Sequence, residues 1–230
     1  MSKFHGPEIT NDGLRLYLDA ANIRSYIGSG NTWVDVSAAK AENVTLTNGA
    51  IYDSSNSGNI FFDGTNDYAN FSVTNLSTTT TVEMWCKIGA SYTNGMFFGW
   101  ANYSVWCSGG RLGYNTASSD IYGISAASVT SLGLVNNWKH YVFEMRSDVS
   151  YTNNKIYINA IPQTLSQQIG TENATNRNFN NGLGRIAIWR GGTTTFFIDM
   201  NCAIFKVYNR SLTQDEIKQN YNAIRGRFGV

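Results

Sequence analysis

Retaining cleavage of a glycosidic bond needs two carboxyl groups about 5 Å apart, and alternate residues on one strand can supply them. The pattern would read Glu-x-Asp-x-Glu or Glu-x-Asp-x-x-Glu, and it does not occur. Glu83 stands alone in Thr81-Val82-Glu83-Met84-Trp85, and Glu144 has only Arg146 and Asp148 on its side of the chain. Histidine is as scarce: His5 near the terminus, and His140 within Trp138-Lys139-His140-Tyr141-Val142, where alternation makes it a half-buried strand residue. There is no G-x-S-x-G, no Cys beside a His, no Walker loop and no H-E-x-x-H, so nucleophile, base and catalytic metal all lack a carrier. The residues point away from an enzyme.

Binding chemistry is better represented. Asp63, Asn66 and Asp67 place hard oxygen donors around a Gly64 bend, which leaves calcium open as a ligand; Asx side chains in such turns also bond their own backbone. Trp100, Tyr103, Trp106, Tyr114 and Tyr122 crowd one stretch, interleaved with Asn102, Arg111, Asn115 and Asp120. A sugar stacks its apolar face on an aromatic ring while amides and charged groups bond its hydroxyls. Trp100, Tyr103, Trp106, Arg111 and Tyr114 are therefore candidate glycan contacts, with Trp189 and Arg190, ahead of Gly191-Gly192, as a second platform. Strand alternation turns roughly half of such aromatics inward. Cys86, Cys107 and Cys202 each sit in an apolar run without a C-x-x-C and read as core thiols.

The elements that must position these groups are short strands. Leu14 to Leu18, Tyr68 to Val73 and Thr79 to Ile88 alternate with period two, the last with Val82, Met84, Cys86 and Ile88 on one face and Glu83, Trp85 and Lys87 on the other. Met96 to Trp100, Tyr103 to Cys107 and Arg111 to Tyr114 form a meander, and Trp138 to Met145 with Lys155 to Ala160 a hairpin around Asn153-Asn154. Asn48-Gly49 marks a turn between Val44-Thr45-Leu46 and Ile51-Tyr52. Gly184 to Arg190 and Met200 to Tyr208 complete about a dozen strands, the spacing of a sandwich or jelly roll. Thr213 and Glu216 make a capping box, and Ile217, Tyr221 and Ile224 give a helix over 213–224 its apolar stripe; Gly226 is placed to end it. The expected organisation is one all-β domain, 1–230: an arm over 1–12, a two-sheet antiparallel sandwich, the short C-terminal helix and a tail over 225–230.

Composition excludes other classes. The 230 residues include 27 Asn, 21 Ser, 21 Thr and 22 Gly, with only 14% charged, so neutral polar groups must do the solubilising. Hydrophobic residues at 42% and aromatics at 13% exclude a disordered chain. A net charge of +1 offers nucleic acid no electrostatic footprint, and no run of about 18 apolar residues exists for a membrane span. No apolar stretch follows Met1 to His5 as a signal peptide would require, which with an odd cysteine count predicts folding in a reducing cytoplasm.

Several segments together resemble the concanavalin A-like lectin/glucanase superfamily, specifically laminin-G-like jelly rolls of tailed-phage structural proteins. They are Gly13 to Asn22, Ser29 to Ser37, Phe62 to Tyr68, Thr81 to Trp85, Trp138 to Val142, Lys155 to Asn159 and, most specific, Phe205 to Thr213 with Tyr221-Asn222-Ala223 and Arg225 to Gly229. The resemblance implies a two-sheet jelly roll and a non-enzymatic virion structural protein, a capsid decoration or a tail or fibre component. It would be made in the host cytoplasm and be present in many copies against other virion proteins; the resemblance fixes no ligand, since relatives bind glycans, calcium or protein, and adhesion to host glycans is compatible with the virion role. The alternative is a carbohydrate-binding module for cell-surface polysaccharide, and a glycoside hydrolase follows behind. The family's catalytic strand has no counterpart here, and Met200-Asn201-Cys202 departs from the small and acidic residues that relatives often carry at that strand.

Overall fold

The computed structural model describes residues 8–40, 43–90, 92–100, 103–176, 179, 182–190 and 195–230. His5, Asn102, Gly191 and Gly192 lie outside the described residues, as does the arm before residue 8. The strands are β1 (Leu14–Asp19), β2 (Thr32–Trp33), β3 (Val44–Thr47), β4 (Ile51–Asp53), β5 (Asn59–Asp63), β6 (Tyr68–Val73), β7 (Thr79–Ile88), β8 (Asn94–Trp100), β9 (Tyr103–Ser108), β10 (Arg111–Asn115), β11 (Ile121–Ile124), β12 (Trp138–Arg146), β13 (Lys155–Ile158), β14 (Ile161–Pro162), β15 (Ser166–Ile169), β16 (Gly182–Ile186) and β17 (Asp199–Tyr208). The helices are α1 (Ala126–Ser131) and α2 (Gln214–Ile224).

Two antiparallel sheets face each other. Sheet one runs β14-β13-β12-β7-β17-β5-β4, with β1 also on β17; sheet two runs β15-β11-β10-β9-β8-β16-β6-β3-β2. The core between them is built from the inward half of each alternating strand: Leu16 and Leu18 of β1, Met84, Cys86 and Ile88 of β7, Phe71 and Val73 of β6, Phe98 and Trp100 of β8. All three cysteines are free and buried, and burial pushes their thiols up, so they behave as small apolar side chains.

The Asn48-Gly49 turn, with φ of 65° and 110°, does not close a hairpin. It carries the chain from β3 in sheet two to β4 in sheet one. Strand β16 stops earlier than the alternation predicts, because Ala187 turns to φ 68°, and Trp189 and Arg190 lie beyond its end. The capping box forms in both directions: the Glu216 amide donates to Thr213 Oγ1 at 3.2 Å, and the Thr213 amide donates to Glu216 Oε2 at 2.8 Å. Gly226 does not end the chain's winding; a 3-10 turn continues over Arg225–Phe228, and Gly229 takes the left-handed conformation.

That turn makes the tail part of the fold. Phe228 stacks on Trp85 with centroids 4.5 Å apart, and Arg227 reaches Asp19 at 2.7 Å, the Asn56 carbonyl at 2.6 Å and the Gly58 carbonyl. The outer face of sheet one is therefore roofed, and β7 and β17 are buried on both faces.

Candidate functional site

Strand parity sorts the aromatic candidates. Trp100, Tyr103 and Tyr114 point inward and are fully buried, which removes them as glycan platforms. Trp100 meets Phe71 edge-on at 5.0 Å, Tyr114 donates to the carbonyls of Glu144 (3.0 Å) and Lys155 (2.6 Å), and Tyr103 accepts from the Asn154 amide. These two phenols bridge the sheets, so their polar tips are satisfied inside the core. Tyr122 is half-buried against Tyr151 at 4.8 Å.

Trp106 points the other way, onto the outer face of sheet two, where it is still mostly buried, 9% exposed, packed with Met96 and Ile121. With Met96, Asn115, Ala117, Ser119, Trp189 and Phe196 it lines an open cleft of about 210 Å³. Phe196 stands edge-on to both tryptophans, at 5.7 Å from Trp106 and 6.1 Å from Trp189, and the Met96 amide donates to the Phe196 carbonyl at 2.9 Å. Trp106 is fixed by its Nε1 donating to Asn94 Oδ1 at 3.0 Å. Ile121 closes the floor. The rim over residues 115–120 is held by buried Asp120, whose carboxylate accepts from the Thr116 amide (2.8 Å), the Thr116 hydroxyl (2.8 Å) and the Ser118 amide (3.2 Å).

Beside Trp106 the neighbouring strands carry glycine, without a side chain on that face. Gly113 of β10 pairs with Trp106 on one side and Gly123 of β11 on the other, and a Cβ on Gly113 would lie 2.4 Å from the Tyr122 carbonyl oxygen. Arg111 lies on the same outer face, with Nη1 donating to the Gly109 carbonyl at 3.4 Å. The Arg190 guanidinium lies over the Trp189 ring at 5.7 Å, and burial lowers its pKa. Met96, Asn94, Ser119 and Phe196 escaped the sequence reading. Phe196 and Trp189 come from a segment without strand periodicity, so only the outward parity of Met96 beside Trp106 could have signalled the cluster.

The oxygen donors of the 63–67 turn serve the turn. Asp63 Oδ1 accepts from the amides of Thr65 (2.7 Å) and Asn66 (3.3 Å), Asp67 Oδ2 accepts from the Asp63 amide (3.3 Å), and the Asn66 carbonyl accepts from Asn48 (3.0 Å). Burial acts to raise the Asp63 pKa, but the three amides at Thr65, Asn66 and Asp67 outweigh it and hold the carboxyl low. The two carboxylates face backbone amides, which is the Asx-turn arrangement and not a cation cage, and no group of three acidic, His or Cys side chains converges among the described residues.

Glu83 and His140 also differ from expectation. Glu83 is not alone: its Oε1 lies 2.9 Å from Lys206 Nζ and 3.2 Å from His140 Nε2, and Oε2 accepts from Asn220 at 2.6 Å. Asn220 in turn accepts from the Thr10 amide at 2.7 Å. All four side chains are fully buried, His140 included, because α2 and the C-terminal turn cover that face of sheet one. Burial acts to raise the Glu83 pKa, yet Lys206 and His140 bring it down to about 2. Glu144 faces Lys155 at 3.3 Å, and Asp148 faces Arg146 at 3.0 Å. A larger hollow of about 490 Å³ lies between β1 and α2, where the charged groups Asp19 and Arg227 pair with each other at 2.7 Å.

A laminin G family model, described as the concanavalin A-like lectin/glucanases superfamily, matches residues 63–218. That span is more than half of the chain and takes in both sheets. The chain belongs to the concanavalin A-like lectin/glucanases superfamily. Similar folds are found among solved structures at low identity. A structure of botulinum neurotoxin type C, whose cell entry depends on interaction with two ganglioside molecules, superposes with a TM-score of 0.65 at 15% identity, covering 93% of this chain and 52% of that one. The serotype D ligand-binding domain in complex with N-acetylneuraminic acid gives 0.62 at 14%, covering 92% and 51%. This chain thus spans about half the length of those neighbours, and likeness at such identity carries the concanavalin A-like fold alone. No curated protein sequence matches it.

Proposed function

We propose that this protein is a non-enzymatic component of a phage particle, displayed in multiple copies as a capsid decoration or a tail or fibre part, and that it adheres to host glycans. The observation that carries the adhesive reading is the cleft of Trp106, Trp189 and Phe196 on the outer face of sheet two. Two indoles and a phenyl ring line a concavity of about one sugar ring's size, roughly seven waters at ~30 Å³ each, against a rigid amide-bonded rim. The lectin-like fold supports this reading, as do structural neighbours that interact with gangliosides or hold N-acetylneuraminic acid. The non-enzymatic reading rests on the carboxylates: Glu83, Glu144 and Asp120 are sealed in hydrogen bonds or ion pairs, and the cleft lining holds no acid. The virion assignment, with folding in the host cytoplasm, rests on the sequence resemblance over 205–213 and 221–229.

The test is a glycan array probed with the intact chain and with Trp189→Ala, beside immunogold labelling of phage particles. Signal on a defined glycan set, lost in the variant while its thermal melt is retained, together with label on the particle, is expected. A blank array ends the adhesive part, and label absent from particles ends the virion part.

A further inference from the structure

We infer that the cleft selects an anionic saccharide, whose ring lies in the Trp106–Trp189–Phe196 concavity and whose charged group is taken by Arg190. This deepens the glycan-adhesion reading above and rests on it. The Arg190 guanidinium lies against the Trp189 ring at 5.7 Å. Its Nε is shut off from solvent and makes no hydrogen bond among the described residues. The ion pairs of the described residues all lie elsewhere: Glu83, Glu144, Asp148, Asp12, Glu216 and Asp19 have other partners. An anion could reach this half-buried guanidinium only through its Nη groups, next to the cleft-lining Trp189, and the planar fork they form suits a carboxylate or a sulfate.

The rest of the rim favours the same charge. The buried acid of the rim loop, Asp120, turns its oxygens into the 115–118 loop, where amide and hydroxyl donors partly offset its charge. Arg111 adds a second cation on that face. Of the amides beside the cleft, Asn115 is spent on Asp120 and the Ala117 amide and Asn94 Oδ1 on Trp106. Ring stacking would hold the sugar, and Arg190 would choose it.

The probes are three matched tetrasaccharides: a polyuronate, its carboxyl-reduced form, and a sulfated form of the reduced chain. Binding is followed by tryptophan fluorescence and by calorimetry. The polyuronate should bind about tenfold tighter than its reduced form, as loss of a charge-assisted bond implies, with the difference shrinking as salt rises. Arg190→Gln should bring the two within twofold, and comparing charged with reduced ligand on the unmodified protein keeps the test independent of any variant's folding. Tighter binding of the sulfated form would name sulfate as the anion read. Equal binding of the charged and reduced forms, or a preference that survives Arg190→Gln, overturns the inference; if Trp189→Ala still abolishes that binding, the adhesion reading stands without it. Binding of none of the three defeats both.

Discussion

At the scale of single residues, the most consequential group outside the cleft is Glu83. It is an ionised carboxylate in a fully covered position, tolerated because Lys206, His140 and Asn220 surround it. Removing one partner from such a cluster strands a buried charge, so Lys206→Met should cost about 3–5 kcal/mol, read by urea unfolding. Glu83 has its pKa depressed from the ordinary carboxylate range to about 2. The stabilisation this implies is complete above that ordinary range and is lost as pH falls from about 4.5 towards 2. Glu216 acts in the same window: hydrogen bonds from Arg210, against a smaller opposing effect of burial, also take it to about 2. Melts from pH 7 to pH 2 should show a steep acid limb, and Glu83→Gln should remove part of that slope while lowering stability at neutral pH.

At the scale of elements, α2 is anchored from both ends of the chain. Its capping box gives it a defined start, and Thr213→Ala should cost about 1 kcal/mol, measured by thermal or chemical unfolding. Its Asn220 accepts from Thr10 and donates to Glu83, so the helix fastens the N-terminal segment to the central strand. In sheet two the decisive pair is β10 with β11. Gly113→Ala would drive a methyl to 2.4 Å from a carbonyl oxygen of β11, forcing the strands apart. We expect a loss of about 1–3 kcal/mol and, because Trp106 is the neighbour of Gly113 in β9, weaker glycan binding on the array.

At the scale of the whole molecule, the two outer faces have different tasks. Sheet one is roofed by α2 and the C-terminal turn, whereas sheet two leaves Trp189 half-covered beside its cleft. A change in the roof should therefore alter stability without altering recognition. Phe228→Ala removes a ring stacked on Trp85 at 4.5 Å and should cost about 3 kcal/mol, seen as a lower melting temperature. Glycan affinity below that melting temperature should stay unchanged, since the cleft lies on the opposite sheet.

Local order was legible in the sequence by itself. Period-two alternation gave β6 and β7 their bounds and β7 its two faces, the Thr213–Glu216 spacing gave α2 its cap, and the apolar context of the cysteines gave buried thiols. Weaker local signals were lost: Ser166–Ile169 is polar and marginal, and Ile121–Ile124 has only four residues. What only the tertiary structure decided was what covers each face. Alternation says that a strand has two sides, but not which one meets the opposite sheet, nor whether a helix and a tail more than a hundred residues away will bury the other. That is why Trp100, Tyr103 and Tyr114 fill the core between the sheets while Trp106 is buried in a separate cluster on the outer face, why Glu83 acquired Lys206 and Asn220 as partners, and why the cleft joins Met96 to Phe196. Such contacts arise from closing the chain over long separations, and no residue's immediate neighbours encode them.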